Sequence, residues 1–250
     1  MIDLHCHILP GIDDGAKSLE EAVEMCRMAA AEGCRTMIAT PHQRRGTWWN
    51  GDRESIVGLA RALPAALGSE LRVLVGGEVH VDSELLAEVE RLPGGGILTL
   101  AGSRYLLIEF DTQGRAGEAI HLVHELVVAG WRPIVAHPEL IPWLSGDLDL
   151  VKRLVALGAL VQVTAMSVTG DFGRGPMAET HTLIDEGLVH FVASDCHGVQ
   201  RRPPGLRRAC RTIAGRWGAE AARRLTSDNP RAVVQNRPLS PAERPVASNS

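Results

Sequence analysis

Short apolar runs alternate along this chain with longer segments in which apolar residues recur every three or four positions. The short runs predict strands, which fall at residues 2–5, 36–39, 73–75, 105–109, 133–136, 159–163 and 189–193. The longer segments predict helices at residues 18–32, 52–66, 83–91, 115–129, 148–157, 177–186 and within 205–236. Strands that alternate with helices in this way favour a parallel sheet covered by helices, and hence an α/β fold.

The limits of the first helix are marked by residues with known capping preferences. Ser18 and Glu21 stand three positions apart and predict a capping box at its start. Gly33 is expected to end the helix, because glycine readily takes the left-handed conformation that closes a last turn. The same signal recurs before later strands, at Gly130, Gly158 and Gly187.

One domain over residues 1–236 accommodates all of these elements. A closed barrel and an open doubly wound sheet both fit the alternation of strands and helices. No G-x-G-x-x-G sequence follows the first strand, so a dinucleotide-binding fold lacks its signature. The last residues, 237–250, are rich in proline and serine and predict a disordered C-terminal tail.

Composition limits the classes of function. The chain has 250 residues, of which 45% are hydrophobic, and a formal net charge of −4. This charge gives no electrostatic reason to expect nucleic acid as a partner. Five cysteines without a C-x-x-C pair indicate a reducing compartment. The sequence has neither a signal peptide nor a run of about 18 apolar residues, so we expect a cytoplasmic protein without a membrane span.

Histidines and acidic residues follow the predicted strands at the points where the strands end. The set comprises His5, His7, His42, Glu78, Glu109, His137, Asp195 and His197. The carboxyl ends of parallel strands in a barrel converge on one face, so these side chains are expected to share a pocket. Taken singly, each could be a surface histidine or a paired core acid. Their joint position at strand ends favours a functional site.

Such a pocket calls for cations, because three buried carboxylates would otherwise repel one another or take up protons. A mixed histidine and carboxylate set suits Zn, Mn or Fe better than Mg or Ca. Eight ligands exceed the needs of one ion, so we expect two or three, which together can activate water for a displacement at phosphorus. Asp14 in the turn at residues 13–15 either caps the next helix or joins this site.

Longer motifs around these residues resemble one branch of the PHP (polymerase and histidinol phosphatase) family. This branch contains the bacterial manganese-dependent protein-tyrosine phosphatases associated with capsule and exopolysaccharide synthesis. The opening MIDLHCHILPGIDDG at residues 1–15 is specific to the branch. The similarity continues at residues 39–42 (ATPH), 76–78 (GGE), 107–110 (LIEF), 136–139 (AHPE), 162–170 (QVTAMSVTG), 194–197 (SDCH) and 201–203 (RRP).

The resemblance implies a distorted seven-stranded (β/α)7 TIM-like barrel with a trinuclear site, in which manganese is the expected metal and iron or zinc are alternatives. It assigns His5, His7, Glu109 and Asp195 to one ion, Glu109 and His137 to a second, and His42, Glu78 and His197 to a third. Asp14 is expected close to a metal. A metal-bridging hydroxide would attack phosphorus in line, while Arg201 or Arg202 holds the phosphoryl oxygens.

The implied substrate is phosphotyrosine in a bacterial tyrosine kinase of polysaccharide export. The branch has H-P-E-R after the fifth strand, whereas this chain has Leu140 in place of the arginine. Leucine carries no charge, so a small phosphate ester such as histidinol phosphate is the alternative substrate. Arg44 and Arg45 either compensate for the missing charge or are exposed loop residues.

Two further hypotheses belong to other classes of function. Cys196 and Arg202 stand in the C-x5-R spacing of cysteine-nucleophile phosphatases, although the turn between them begins at a candidate ligand. A regulatory module that binds metal without catalysis is the non-enzyme alternative. The complete ligand set argues against such a module.

Overall fold

The structure is a computed structural model that describes residues 1–67 and 71–239. Nine strands occur in these residues: β1 (Ile2–Cys6), β2 (Thr36–Ala39), β3 (His42–Gln43), β4 (Arg72–Val75), β5 (Glu78–His80), β6 (Tyr105–Glu109), β7 (Arg132–Ala136), β8 (Leu160–Thr164) and β9 (Phe191–Ala193). The α-helices are α1 (Leu19–Ala31), α2 (Arg53–Leu67), α3 (Leu85–Glu90), α4 (Ala116–Val128), α5 (Leu148–Ala156), α6 (Ala165–Thr169), α7 (Arg174–Asp185), α8 (Leu206–Arg223) and α9 (Asn229–Val234). A π-helical segment, Arg224–Asp228, joins α8 to α9.

All paired strands run parallel, which confirms the predicted α/β class. They form a three-stranded sheet in the order β1-β2-β4 and a six-stranded sheet in the order β3-β5-β6-β7-β8-β9. The described residues form two more short strands than the seven predicted and divide them between two sheets, so the single closed seven-stranded barrel stays a prediction. Runs of two or three residues, such as β3 and β5, are too short to show a periodic pattern.

The two additional strands, β3 and β5, lie beyond the predicted strands at residues 36–39 and 73–75, each after an interruption of two residues. Thr40 and Pro41 separate β2 from β3, and Pro41 has no N–H for a sheet hydrogen bond. Gly76 and Gly77 separate β4 from β5. A Cβ at Gly77 would lie 2.1 Å from Gln43 Oε1, so only glycine allows the side chain of Gln43 to cross here. Each interrupted strand thus contributes to both sheets.

Backbone contacts join the two sheets where β1 and β9 end. Cys6 forms an isolated parallel bridge with Cys196, and the Asp195 N–H donates to the His5 carbonyl at 2.9 Å. The His7 N–H donates in turn to the Cys196 carbonyl at 2.9 Å. One buried apolar cluster draws side chains from both sheets, including Leu4, Ile38, Leu107, Ile134 and Phe191. The strand ends on both sides of the junction therefore share one core and face one region.

Helix α1 begins and ends as its sequence predicts. The Ser18 hydroxyl accepts a hydrogen bond from the Glu21 N–H at 3.3 Å, and Gly33 has a left-handed φ of 90°. Its buried positions recur at helical spacing and pack on the three-stranded sheet, at Ala22, Val23, Met25, Cys26 and Ala29. Local capping and the apolar face together fix the segment that follows the first candidate ligands.

Other predicted boundaries need correction. Helix α6 was not predicted, because its five residues are too few to show a helical period. Helix α7 begins at Arg174 rather than at residue 177. Residues 237–239, which were predicted to be disordered, are placed: the Tyr105 hydroxyl donates to the Arg237 carbonyl at 2.6 Å, and Leu239 packs on the core. The rest of the predicted tail, 240–250, lies outside the described residues. No helix in the described part of the chain is long and apolar enough to cross a membrane.

Candidate metal centre

All eight candidate ligands lie at or within a few residues of the carboxyl end of a strand. His5 is in β1 and Glu109 closes β6, and the residues that follow β1, β7 and β9 are His7, His137, Asp195 and His197. His42 and Glu78 begin the short strands β3 and β5, three residues after β2 and β4 end. Seven of them are buried, and His197 is half-buried. Parallel strands thus bring together residues that are far apart in the sequence, as the strand-end pattern predicted.

The ligand atoms form four overlapping groups in which all members lie within 4.8 Å of one another. These groups are His7, Asp14, His42 and His197; His5, His137 and Asp195; His5, His7 and Glu78; and His42, Glu78 and Glu109. Every predicted ligand and Asp14 belong to at least one group. The groups place Glu109 with His42 and Glu78, whereas the family resemblance assigned Glu109 to an ion with His5 and His7.

Glu78 lies at the centre of the cluster. Its Oε1 is 2.8 Å from His137 Nε2 and 3.3 Å from His5 Nε2, and its Oε2 is 2.8 Å from His42 Nδ1. Burial alone would raise its pKa, but His5 and His42 hold the pKa well below its usual range. Glu78 is therefore an ionised carboxylate, and its two oxygens are placed to contact more than one cation.

The carboxylates have the opposite effect on the imidazoles. Burial alone would lower the pKa of His5, yet Glu78 and Asp195 raise it to about 10. Burial likewise opposes a raised pKa at His42, where Glu78 and Asp14 raise it to about 10. Without cations, these two imidazoles hold protons at neutral pH. Positive charge is thus what the buried carboxylates require, whether as protons or as metal ions.

Two side chains outside the ligand set orient the first-strand histidines. Asp13 Oδ2 lies 2.8 Å from His7 Nδ1 and also accepts the His42 N–H at 3.1 Å. Gln162 Oε1 lies 2.8 Å from His5 Nδ1. These contacts turn the Nε2 atoms of both histidines toward the cluster, the arrangement typical of metal-binding histidines. Sequence reasoning assigned no such role to Asp13 or Gln162, although a glutamine within the apolar β8 is a usable signal.

The loop that carries Asp13 is pressed against the first strand end. A Cβ at Gly15 would lie 2.1 Å from the His7 carbonyl oxygen, so the loop tolerates only glycine there. Two candidate ligands are themselves in the left-handed region, His137 with φ 33° and Asp195 with φ 51°. Non-glycine residues seldom adopt this conformation, and it is concentrated at functional sites.

The arginines of the RRP motif have different positions. Arg202 donates a hydrogen bond to Asp195 Oδ2, and its NH1 lies 3.4 Å from His197 Nε2. Arg201 is exposed and lines a neighbouring cavity. Burial would raise the pKa of Asp195, but His5 and Arg202 hold it below its usual range. The structure therefore brings Arg202 into the cluster and leaves Arg201 at its margin.

Asp14 lies at the mouth of the cluster, half-exposed to solvent. Its Oδ1 is 3.3 Å from His42 Nε2 and 3.4 Å from His197 Nε2. Burial would raise its pKa, but hydrogen bonds with these two histidines lower it below its usual range. Of the two alternatives considered for Asp14, the position beside the histidines favours membership of the metal site.

The donor set fits divalent cations. Among the described residues, Glu109 Oε2 and His137 Nδ1 are buried without a hydrogen-bond partner. Buried polar atoms are almost always paired, so unpaired ones in this cluster fit a site for a bound cation. The donor atoms are imidazole nitrogens and carboxylate oxygens, a set that suits Zn, Mn or Fe.

The geometry disfavours a thiol nucleophile. Cys196 is fully buried and belongs to the apolar cluster beneath α1. Arg202, which would have to bind phosphate above that thiol, is bound to Asp195 instead. A reactive cysteine requires access to solvent and a stabilised thiolate.

Two cavities open onto the cluster. The smaller, of about 220 Å³, lies directly over the ligands and is also lined by Arg45, Phe110 and Leu140. The larger, of about 720 Å³, adjoins it and is lined in part by Met166 and Phe172. Asp14, His197 and Arg202 line both cavities. A substrate could therefore place one group over the ligands and a larger, partly apolar group beside them.

Comparison with solved structures defines the fold class. The phosphotriesterase from Mycobacterium tuberculosis superposes with a TM-score of 0.56 at 12% sequence identity, covering 94% of this chain and 93% of that chain. At this identity the similarity concerns the fold alone. The chain is thus an α/β protein with TIM-like structural neighbours.

The family is defined by closer matches. Residues 1–235 match the model of the family described as capsular polysaccharide synthesis, CpsB/CapC, and the chain belongs to this family. The tyrosine-protein phosphatase YwqE of Bacillus subtilis is 34% identical over 242 residues, covering 96% of this chain and 93% of the relative. The tyrosine-protein phosphatase CpsB of Streptococcus pneumoniae is 29% identical over 243 residues, covering 94% and 99%.

A solved relative extends this similarity to three dimensions. One chain from the crystal structures of YwqE and CpsB, described as unique metal-dependent tyrosine phosphatases, superposes with a TM-score of 0.91 at 32% identity. The match covers 100% of both chains. The resemblance stated from the sequence motifs is therefore confirmed.

Proposed function

We propose that this chain is a metal-dependent protein-tyrosine phosphatase that hydrolyses phosphotyrosine in a bacterial tyrosine kinase of polysaccharide export. The observation that carries the proposal is the set of four overlapping ligand groups, which unites all eight predicted ligands and Asp14. Membership of the CpsB/CapC family supports the choice of reaction, since its named relatives are tyrosine phosphatases. Location in the cytoplasm remains a prediction.

We propose that two or three divalent ions, manganese first, are held by His5, His7, His42, Glu78, Glu109, His137, Asp195 and His197. Overlap between the groups supports more than one ion, because Glu78 belongs to two of them. The chemistry that such ions supply when bound is activation of a water nucleophile and neutralisation of charge at phosphorus. Asp13 and Gln162 accept hydrogen bonds from Nδ1 of His7 and His5, which leaves the Nε2 lone pair of each imidazole free to bind a metal.

Arg202 and Arg201 are the candidate phosphate-binding residues of the RRP motif. Arg202 is supported by its contact with Asp195, which fixes one edge of the guanidinium at the rim of the ligand cluster. A guanidinium presents paired donors that match two phosphoryl oxygens. Asp14 remains ionised at the mouth, so its Oδ1 can hold a water molecule or a cation there.

The lining of the larger cavity supports the proposal that the substrate is an aromatic phosphate ester. Phe172 and Met166 line the larger cavity, and the Arg202 guanidinium lies 5.6 Å over the Phe172 ring. A phosphotyrosine ring could pack on this apolar wall while its phosphoryl group reaches the smaller cavity. A compact ester such as histidinol phosphate has less apolar surface to bury there.

We also propose that both sheets form one distorted seven-stranded barrel in a single domain over residues 1–236. In this count β2 with β3 and β4 with β5 are two interrupted strands. The hydrogen bond from Asp195 N–H to the His5 carbonyl and the shared core cluster support closure between β1 and β9.

The test is a substrate panel with controlled metal content. The purified protein is stripped with a chelator, reloaded with Mn²⁺, and assayed on a phosphotyrosine peptide, a phosphoserine peptide and histidinol phosphate. We expect the phosphotyrosine peptide to be preferred, with activity lost on chelation and restored by Mn²⁺. His5→Ala should lose both activity and metal, whereas His121→Ala, at an exposed position on α4, should lose neither.

Three outcomes would contradict the proposal. Phosphotyrosine turnover that persists after complete metal removal would exclude metal-dependent chemistry. A preference for histidinol phosphate would move the protein to the alternative substrate class. Absence of turnover for every ester at full metal loading would favour the regulatory module.

A further inference from the structure

The small cavity over the candidate ligands is lined by two guanidinium groups among the described residues, those of Arg45 and Arg202. We propose that Arg45 is a further phosphate-binding residue of this site and that it supplies the positive charge that Leu140 cannot. The inference rests on the proposed phosphatase function. It assigns a role to a residue outside the RRP motif and outside the ligand set.

The backbone holds Arg45 in a tight turn after β3. The Arg45 N–H donates to the Trp48 carbonyl at 3.2 Å, and the Trp48 N–H donates back to the Arg45 carbonyl at 2.8 Å. The Trp48 ring stacks on the His42 ring with centroids 5.3 Å apart. Because the turn is anchored on a candidate ligand, the side chain of Arg45 starts from a fixed point at the edge of the cluster.

The guanidinium of Arg45 reaches the cluster itself. Its NH1 lies 2.7 Å from His42 Nε2 and 3.2 Å from Glu109 Oε1. The side chain is 39% exposed, so it can change position without unpacking the core. Both of its partners belong to ligand groups, and cations bound by them would repel the guanidinium. A phosphate anion above the cations is then the partner of opposite charge within its reach.

Arg44 cannot share this role, although the sequence leaves both arginines open. Its backbone is left-handed, with a φ of 64°, and its side chain is only 5% exposed. Its Nε and NH2 donate to Asp82 at 2.9 and 3.1 Å, a bidentate pair. The guanidinium of Arg44 is therefore committed to a structural contact, and that of Arg45 is available for a ligand.

The other residues around Arg45 in the cavity explain why its charge is needed for phosphate binding. Leu140, Ile141 and Phe110 line the same cavity and bring no charge. Arg202 is bound to Asp195, which fixes its charge on that side of the cluster. A phosphate monoester dianion exposes several oxygens, and two forked donors hold it better than one. Arg45 thus completes a pair of guanidinium groups that enclose the phosphoryl position.

The experiment measures binding of inorganic phosphate to the Mn²⁺-loaded protein by calorimetry, together with metal content by elemental analysis. Arg45→Gln should weaken phosphate binding about ten- to hundredfold, the range for loss of one charge-assisted hydrogen bond. Arg45→Lys keeps the charge without the fork and should lose less. Metal content should be equal or higher in Arg45→Gln, because a positive neighbour of the ligands has been removed, and unchanged in Arg45→Lys.

Arg91→Gln is the matched control, since Arg91 is an exposed arginine paired with Glu88. It should bind phosphate as the unaltered protein does. Unchanged phosphate affinity in Arg45→Gln would overturn the proposal, and so would a loss accompanied by loss of metal, which would make Arg45 a support for the ligands. Phosphate binding requires no turnover, so absence of phosphatase activity would refute the proposed function without deciding this inference.

Discussion

Cation binding at this centre should release protons, and the number of protons follows from the structure. In the metal-free protein the pKa values of His5 and His42 are both raised to about 10, so both imidazoles are protonated near pH 7. An imidazole must be neutral to bind a metal, so cation uptake expels at least two protons. The pKa values of His7 and His137 are also raised, despite burial, by Asp13 and Glu78 respectively.

The release of two protons makes metal affinity steeply dependent on pH. Each proton released contributes about 1.36 kcal/mol per pH unit, a tenfold change. Raising the pH from 6.5 to 7.5 should therefore strengthen Mn²⁺ binding about 100-fold, or about 2.7 kcal/mol. The protonated state of these histidines stabilises the metal-free fold below their unfolded pKa of 6.5, and this stabilisation is lost as the pH rises toward 10. The stability gained on metal loading should accordingly grow over the same interval.

The assay is calorimetric titration of the metal-free protein with Mn²⁺ at one pH in two buffers of different ionisation enthalpy. The difference in heat counts the protons, and a pH series of dissociation constants gives the slope independently. His42→Gln should reduce the count by about one, whereas His121→Ala, remote from the cluster, should leave it unchanged. Release of fewer than one proton, or equal affinities at pH 6.5 and 7.5, would refute the assignment of these histidines as metal ligands.

Three substitutions test other parts of the site. Leu140→Arg adds a guanidinium to the smaller cavity, where Arg45 and Arg202 are proposed to supply the charge already, so kcat/KM for phosphotyrosine peptide in steady-state kinetics should stay nearly unchanged; a rise of about tenfold would mean that Arg45 does not replace the missing arginine. Phe172→Ala should raise KM for that peptide about tenfold and spare a small alkyl phosphate; equal losses for both esters would contradict a ring-binding wall. Cys196→Ser should retain turnover at normal metal content, because the thiol is fully buried. Loss of turnover at normal metal content would favour the thiol mechanism instead.

The clustering of the candidate ligands could be predicted from sequence because strand ends are local features. An apolar run followed by histidine or an acid identifies His5, His137 and Asp195 without knowledge of the sheet order. The division of the strands into two sheets could not be predicted. Gly77, between β4 and β5, is in close contact with the side chain of Gln43, and these two residues are far apart in the sequence. Short strands such as β3 gain stability from their neighbours and leave no periodic trace.

Supporting contacts were predicted less well than ligands. Gln162 orients His5 across 157 positions, and no spacing rule connects them. Arg44 and Arg45 are adjacent and chemically identical, and only their contacts in the structure distinguish them: Arg44 pairs with Asp82, whereas Arg45 lies beside His42 and Glu109. These are properties of tertiary placement. Sequence patterns describe residue type and local period, but they do not specify side-chain direction in a turn.

The junction between the first strand and residues 194–197 determines when the centre can form. The Ser194 N–H donates to Asp3 Oδ1 across 191 positions, and the backbone of Asp195 and Cys196 bonds beside it to His5 and His7. A nascent chain emerging from the ribosome exposes its first two histidines long before their later partners exist. Two of the four ligand groups include Asp195 or His197, so these two can form only after the last of the candidate ligands has been synthesised, whereas the groups built on Glu78 consist of earlier residues. Ions bound at these two groups would join the earliest candidate ligands to the latest, so resistance to opening at this junction should depend on metal supply.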